Sequence, residues 1–282
     1  MEQSPLKFSL VLATVGRTDE PVRFLASLDA QLYRNVELIV VDQNEDDRLA
    51  SILAPYQGKF PLIHLHSVRG LSRARNVGLK YVTGDLITFP DDDCWYPADL
   101  LLQVAALCEE HPIVSGFTGR STDGAGGTEG RWLDKCTPVS KYNVWRTGIS
   151  FGIFLRRHVV TAVGEFDETL GVGARTPWGS GEETDYLLRA IAAGFQLLYC
   201  PQLVLYHPIK VPMFNDEAIQ RAREYSPGHG RVLRKNGFPW VYFIFVVSKS
   251  LIGALLAMVQ GNLGKMRFFF ALAAGRCQGW RS

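Results

Sequence analysis

The chain has 282 residues, 47% apolar, 21% charged and 11% aromatic, a composition that buries a substantial core and excludes a disordered tail or a minimal disulfide-stapled domain. A formal net charge of +2 is too near zero to mark a nucleic-acid binder, yet it hides an asymmetry: residues 225–282 hold eight Lys or Arg and no acid, leaving 22 basic against 28 acidic side chains before them. An acidic body is joined to a basic tail. The first predicted strand, Lys7–Ala13, follows a leader with neither a basic run nor a cleavage site, so no secretory signal is expected and the body is expected in the cytosol. Five cysteines, odd in number and never in C-x-x-C, argue against both a disulfide framework and a thiolate zinc site.

Apolar runs of strand length then alternate with segments of helical period. Strands are predicted at Lys7–Ala13, Val36–Asp42, Leu62–His66, Asp85–Phe89 and Val114–Gly119. Helices are predicted near Glu20–Leu32, Asp47–Tyr56, Leu71–Val82 and Pro97–Cys108. This βαβ order predicts an α/β fold with a mostly parallel sheet covered by helices. Residues 120–147, rich in Gly and Thr, read as a long loop with room for an added strand. In such sheets ligands bind beyond the carboxyl ends of the strands, where Thr14, Arg17, Asp42 and the run Asp91, Asp92, Asp93 fall.

Three consecutive carboxylates at the end of a buried strand repel one another unless a cation sits among them, and hard oxygen ligands suit Mg²⁺ or Mn²⁺ with positions left for phosphate oxygens. The same triplet also reads as a solvated acidic turn capping the next helix. A second signal is the Gly-rich loop that opens a helix with Glu182, Glu183 and Asp185. Acids there complement the helix dipole, or one of them serves as a general base; Glu182 and Asp185 share a face while Glu183 turns about 100° away. The histidines His64, His66, His111, His158 and His229 show no clustering in the sequence that suggests a zinc site.

Both signals sit in wording that resembles glycosyltransferase family 2, inverting enzymes of the GT-A fold that use nucleotide-diphosphate sugars. The resemblance runs through "FSLVLATVGR", "VELIVVDQNEDD", "RGLSRARNVGLKYVTGDLITFPDDD", "VGEFDETLG" and "GSGEETDYLLRAIAAGF", roughly residues 7–207. It implies that Thr14, Arg17 and Asp42 hold the nucleotide's base and ribose, that Arg75 and Asn76 face the nucleotide, and that Asp91 and Asp93 hold the sugar-nucleotide and its divalent metal. Asp92 is a further candidate at that metal and nucleotide site. It implies a general base at Glu183, where the family usually has Asp, with Asp185 or Glu182 as alternatives, and direct displacement with inversion. His207 matches a further metal or diphosphate contact. Trp178, with Gly179 and Ser180, is the candidate acceptor surface. For Arg75 a structural salt bridge, and for Trp178 simple packing, stand beside these readings.

The tail is read separately. Pro239–Gln260 is almost continuously apolar and a second apolar stretch follows at Met266–Ala274, flanked by Arg231, Arg234, Lys235, Lys265, Arg267, Arg276 and Arg281. The domains expected are a GT-A catalytic domain at 1–225 and a helical, membrane-associating segment at 226–282, placing the enzyme on the cytoplasmic membrane leaflet. The function expected is transfer of a single sugar from a UDP-, GDP- or dTDP-sugar to a glycan acceptor, lipid-linked, in cell-surface or extracellular polysaccharide synthesis, with no nucleic acid as partner. Two alternatives remain: a processive polysaccharide synthase, since "QRAREY" at Gln220–Tyr225 partly matches a Q-x-x-R-W pattern, and a non-catalytic membrane-bound subunit that binds nucleotide-sugar or glycan. A nucleotidyltransferase fits poorly, because "ATVGRTDE" lacks the Gly-rich basic loop that class needs. Oligomeric state is not legible.

Overall fold

A computed structural model describes residues 5–128, 132–209 and 213–282. The described residues form two compact units. One comprises those within Met1–Arg69, Arg73–Phe166 and Tyr186–Ile209; the other comprises those within Gly70–Ser72, Asp167–Asp185 and Lys210–Ser282.

The first unit is built on an eight-stranded sheet. Its strands are β1 (Phe8–Thr14), β2 (Val36–Asp42), β3 (Leu62–His66), β4 (Leu86–Thr88), β5 (Gly116–Thr122), β6 (Thr137–Pro138), β7 (Ile153–Arg156) and β8 (Leu197–Tyr206), in the order β3-β2-β1-β4-β7-β5-β8-β6. The pairs β1–β2, β1–β4, β2–β3 and β5–β8 are parallel, but β7 is antiparallel to both β4 and β5, and β6 to β8. The sheet is therefore mixed, with the parallel pairs expected in the majority and an antiparallel minority. The antiparallel pairs come from β7, four residues with three apolar positions and too short to show a period, and from the two-residue β6, which supplies the strand in the long 120–147 segment. Residues 129–131 of that segment lie outside the described residues.

Helices α1 (Asp19–Asp29), α2 (Ala50–Leu53), α3 (Leu71–Leu79), α4 (Leu100–Glu110), α5 (Arg157–Val163) and α6 (Glu182–Ala192) intersperse the strands. Period-two alternation decides which packs where. Phe8, Leu10 and Leu12 of β1 and Leu38 and Val40 of β2 share one core with Phe24, Leu25 and Leu28 of α1 and Leu100, Leu101 and Val104 of α4. Each of these fully buried side chains contributes about 1.5–3 kcal/mol relative to exposure. The odd-numbered positions face the other way and meet α3, where Gly78 permits close approach: a Cβ there would lie 3.1 Å from Val41 Cγ2. Helices thus cover both faces.

On the α3 side the sheet buries an acid. Glu37, 5% exposed, accepts from Ser9 Oγ at 2.5 Å, from Thr83 N and Oγ1 each at 2.6 Å, and pairs with Lys7 Nζ at 2.6 Å. This network ties β1 and β2 to the turn that leads into β4.

The second unit contains α7 (Asp216–Lys235), α8 (Trp240–Val259) and α9 (Leu263–Arg281). The boundary expected at 225/226 falls inside α7, which runs unbroken through it with Pro227 in its interior. Small residues of α7 (Ser226, Gly228, Gly230) are buried, as are Gly275 and Gly279 of α9, and the closeness of the two helices follows from that choice. In α8, Ser250, Ala254 and Ala257 are buried, while Ile244, Phe245, Ile252, Leu255, Leu256, Met258 and Val259 are exposed.

Burial pushes the Glu37 carboxyl up, but the bonds from Lys7, Ser9 and Thr83 outweigh it and leave it at about 2, below its ordinary 4.5. A depressed acid stabilises the fold above its unfolded pKa and loses that contribution as pH falls through the folded one. Glu37→Gln should therefore lower stability by about 1–3 kcal/mol at pH 7 and flatten the stability profile between pH 4.5 and 2, read by urea unfolding across pH. An unchanged profile would show that Glu37 carries no such load.

Candidate active site

The parallel half of the sheet sends β1, β2 and β4 out at one edge. Thr14 and Asp42 end β1 and β2 and sit directly opposite each other in the ladder. An isolated bridge between Ala13 and Asp91 extends the pairing of β1 past the end of β4, and so fixes the acidic turn at the same edge. A second bridge, Trp95 to Tyr206, brings the end of β8 to that turn and delivers His207.

Each carboxylate of the turn has its own partners. Asp91 accepts from Arg75 Nη2 at 3.0 Å and Ser150 Oγ at 2.9 Å. Asp92 accepts from Thr14 Oγ1 at 2.7 Å and Arg17 Nη1 at 2.6 Å. Asp93 pairs with Arg17 Nη1 at 2.7 Å and His207 Nε2 at 3.2 Å. Burial pushes Asp91 upward against the Arg75 cation and the Ser150 bond. Burial also raises Asp92, to about 6, with Thr14 and Arg17 opposing and the two neighbouring acids adding to the rise. For Asp93 burial is overcome by the bond and charge of His207 and by Arg17, and the carboxyl falls to about 2. The triplet is thus not a solvated cap: three like charges are crowded, and Asp93 with His207 presents an oxygen and an imidazole nitrogen side by side. The carboxylates of that set suit Mg²⁺ or Mn²⁺, and the one imidazole beside them favours Mn²⁺ of the two.

Arg75 and Asn76 behave differently from what was expected of residues facing a nucleotide. The Arg75 guanidinium is buried, 5.5 Å from the Phe166 ring centroid and 5.9 Å from that of Phe89, and it braces Asp91. The amide of Asn76 donates to Phe166 O at 3.0 Å and accepts from Phe166 N at 2.7 Å, so it clamps the backbone at the end of the first unit's long segment. The salt bridge weighed for Arg75 is present.

At the end of β2, Asp42 is fully buried. Its Oδ1 accepts from Asn44 N at 2.8 Å and Asn44 Nδ2 at 2.7 Å, and its Oδ2 lies 3.1 Å from His64 Nε2. His66, paired with Asp42 in the ladder, completes a group whose ligand atoms all lie within 4.8 Å of one another. The linear sequence shows no such clustering. The signal was in the period: His64 and His66 are two apart on a strand and therefore share a face.

In the second unit, the opening of α6 separates the three acids. Asp185 has no exposed surface and accepts from Lys235 Nζ at 2.8 Å and Asn236 Nδ2 at 3.0 Å. Glu182 is 5% exposed and packs beneath Gly171, where a Cβ would meet its Oε2 at 2.9 Å; that position also has φ of +97°. Glu183 is the partly exposed member. Trp178 carries the Arg231 guanidinium 4.5 Å from its ring centroid, Ser180 donates to Tyr225 O at 2.7 Å, and Gly179 lies against the backbone of Glu224. Trp178, Gly179 and Ser180 therefore pack on α7.

A doubly covered α/β sheet with an acid-rich turn at the carboxyl ends of its parallel strands is the architecture of a GT-A glycosyltransferase. The family model described as glycosyl transferase family 2 matches residues 9–160, more than half of the chain, and the chain belongs to that family. Among curated relatives it is similar to the succinoglycan biosynthesis protein ExoM of Rhizobium meliloti (strain 1021), 24% identical over 245 residues that cover 83% of this chain and 77% of the relative. Among solved structures it is similar to the mannosyltransferase PcManGT from Pyrobaculum calidifontis in complex with GDP-Man and Mn²⁺, with a TM-score of 0.68 at 16% identity over 98% of this chain and 87% of that one. It is also similar to S. aureus TarS 1-349 in complex with UDP-GlcNAc, with a TM-score of 0.62 at 17% identity over 96% and 92% of the two chains. At these identities the structures establish the fold.

The acids of α6 divide into packed and accessible ones, and stability measurements should separate them. Asp185→Asn should cost about 1.5–3 kcal/mol through its weakened contacts with Lys235 and Asn236, whereas Glu183→Gln should stay within about 0.5 kcal/mol of the parent in chemical denaturation. Equal losses would show that Glu183 is as much a packing residue as Asp185.

Proposed function

We propose that this glycosyltransferase moves a single sugar, with inversion, from a nucleotide-diphosphate sugar to a hydroxyl of a lipid-linked glycan acceptor in cell-surface or extracellular polysaccharide synthesis, working on the cytoplasmic leaflet of the membrane. The observation that carries the donor half is the pairing of Asp93 with His207 beside two further carboxylates at the edge where β1, β2 and β4 end. Asp93 and His207, with Asp91 beside them, would hold Mg²⁺ or Mn²⁺, which when bound supplies positive charge to the diphosphate. Thr14 and Arg17 position the turn by holding Asp92, and Asp42 receives the nucleobase. Arg75 orients Asp91 through its buried guanidinium.

Transfer also needs a group to take the acceptor's proton. Glu183 is assigned that role, because Glu182 and Asp185 are packed and Glu183 is the member with exposed surface. The relatives support the donor and pathway classes: one is named for succinoglycan biosynthesis, and two structural neighbours hold UDP-GlcNAc or GDP-Man with Mn²⁺.

The membrane half of the proposal rests on α8, 20 residues long with a mean hydropathy of 2.0 and only 17% of its most apolar window buried. Trp240 at its start suits the headgroup zone, and the basic residues around α8 and α9 suit an anionic leaflet.

Calorimetric titration with UDP-, GDP- and dTDP-sugars, each with and without Mn²⁺, tests the donor reading. One nucleotide-sugar should bind in a metal-dependent way. Asp93→Ala should abolish that binding, while Glu183→Gln should retain it and slow transfer by about 10²-fold or more. No binding by folded protein across the panel would favour a non-catalytic partner subunit, and a fully active Glu183→Gln would refute the base. For attachment, the triple variant Ile252→Glu, Leu255→Glu, Val259→Glu changes one exposed face of α8 and should move the protein from the membrane to the soluble fraction. A variant that still sediments with membranes would refute attachment through α8.

A further inference from the structure

The group at the ends of β2 and β3 has a chemistry that the transfer reaction does not use. Asp42, His64 and His66 present one carboxylate and two imidazoles, with ligand atoms mutually within 4.8 Å. Parallel register makes this arrangement: His66 lies opposite Asp42 and His64 opposite Val40, so both rings leave the same face as the Asp42 side chain. The rings are 4.9 Å apart at their centroids. Asp42 is held before any ligand arrives, because both donors of Asn44 occupy Oδ1 and leave Oδ2 toward His64. That carboxylate is buried, His64 is half-buried and His66 is exposed, so the group has a fixed floor and an open mouth. As β3 is the outermost strand of the sheet, no further strand covers it among the described residues.

We propose that Asp42, His64 and His66 form a second cation site, separate from the Asp91–Asp93 turn, which binds a borderline transition metal such as Zn²⁺ and thereby competes with the nucleotide. Two imidazoles with one carboxylate select Zn²⁺, Co²⁺, Ni²⁺ or Cu²⁺ over Mg²⁺ and Ca²⁺, which take oxygen ligands. The open mouth leaves positions for water. The metal site stands on this geometry alone. Competition rests in addition on the reading of Asp42 as the nucleobase acceptor, since a carboxylate oxygen bound to a cation no longer accepts from a base N–H. Occupancy then links available zinc to donor binding.

The test is calorimetric titration of the full chain with ZnCl₂ in metal-free buffer after alkylation of Cys136 and Cys277, with Co²⁺ absorption as a second readout of imidazole ligation. Because zinc also suits the Asp93–His207 pair, the count is read in Asp93→Asn, which removes that carboxylate: one equivalent should still bind there. Loss of an outer-shell partner alone typically weakens a metal site about 10–100-fold, so in that background His66→Gln, which removes a ligand, should weaken zinc by at least about tenfold, and His64→Gln/His66→Gln should abolish it. His66 is exposed, so its variant keeps the fold. Zinc binding that is absent from Asp93→Asn, or equal there with and without His66→Gln, overturns the site. In a second arm, UDP and GDP are titrated without metal and with saturating zinc. Zinc should weaken the better-bound nucleotide in the parent and not in His66→Gln; equal affinity in the zinc-loaded parent overturns competition. Asp42→Asn separates the two failures: if it leaves nucleotide affinity unchanged, the nucleobase reading falls while the zinc titration still decides the metal site.

Discussion

Crowding of three carboxylates at the end of β4 is the constraint to which the surrounding structure answers. Like charges a few ångströms apart in a partly buried turn are unfavourable unless neighbours compensate each one. Compensation here comes from five residues at four places in the chain: Thr14 and Arg17 at and just after the end of β1, Arg75 on α3, Ser150 ahead of β7, and His207 after β8. A sheet whose order departs from the sequence order is what makes this possible. Because β4 is flanked by β1 and β7, and the end of β8 bridges to Trp95, elements from both halves of the sheet converge on one turn. The compensation is uneven by design of the partners. Asp93, with His207 and Arg17, falls to about 2 and stays charged, while Asp92 rises to about 6, so the turn holds a permanent anion beside one that a nearby cation would discharge of its proton.

Much of this edge was legible in the residues. β2 and β3 run as expected from Val36 to Asp42 and from Leu62 to His66, since short segments dominated by Val, Ile and Leu and bounded by polar residues have few other solutions. The placement of Thr14, Asp42 and the acid triplet at one edge follows from strand polarity once the βαβ order is recognised. What was not legible depends on partners distant in the chain. Asn76 spends its amide on Phe166, 90 residues away, and no local pattern announces that choice. β7 is four residues with no alternation, and its antiparallel insertion between β4 and β5 changes the sheet from parallel to mixed. The Asp42 group was hidden for a related reason: strand pairing, rather than sequence distance, brings the three side chains together.

A comparable division of labour is visible at the opening of α6. Three acids within four residues satisfy the same dipole argument, and helical geometry distinguishes only the face each takes. Packing then decides between them. Lys235 and Asn236, at the end of α7, take both oxygens of Asp185, and Lys235 also reaches Asp167 at 2.7 Å. Asp167 is accordingly held at about 2: burial raises it, and the bonds from Lys235 and Thr169 more than reverse the rise. One lysine thus gathers the two ends of the 167–185 segment.

That gathering has a mechanical consequence for the second unit. Ser180 is tied to Tyr225, Trp178 lies under Arg231, and Asp185 is tied to Lys235, so the segment carrying Glu183 is fastened to successive turns of α7. α7 is packed in turn on α9 through Ile219, Ala222 and Ala271, and α9 on α8 through Arg276, which reaches Ser250 and Val246 O. Glu183 and the exposed apolar face of α8 therefore belong to one packed body. If α8 is the membrane contact, the position of the proposed base relative to the bilayer is determined by helix packing, and an acceptor whose lipid is embedded in that bilayer meets the base at a height that α7 and α9 define. A disordered linker between a catalytic domain and an anchor would leave that height free. The small residues Ser226, Gly228, Gly275 and Gly279, which bring α7 and α9 close, are thus part of what would match the enzyme to a membrane-borne acceptor.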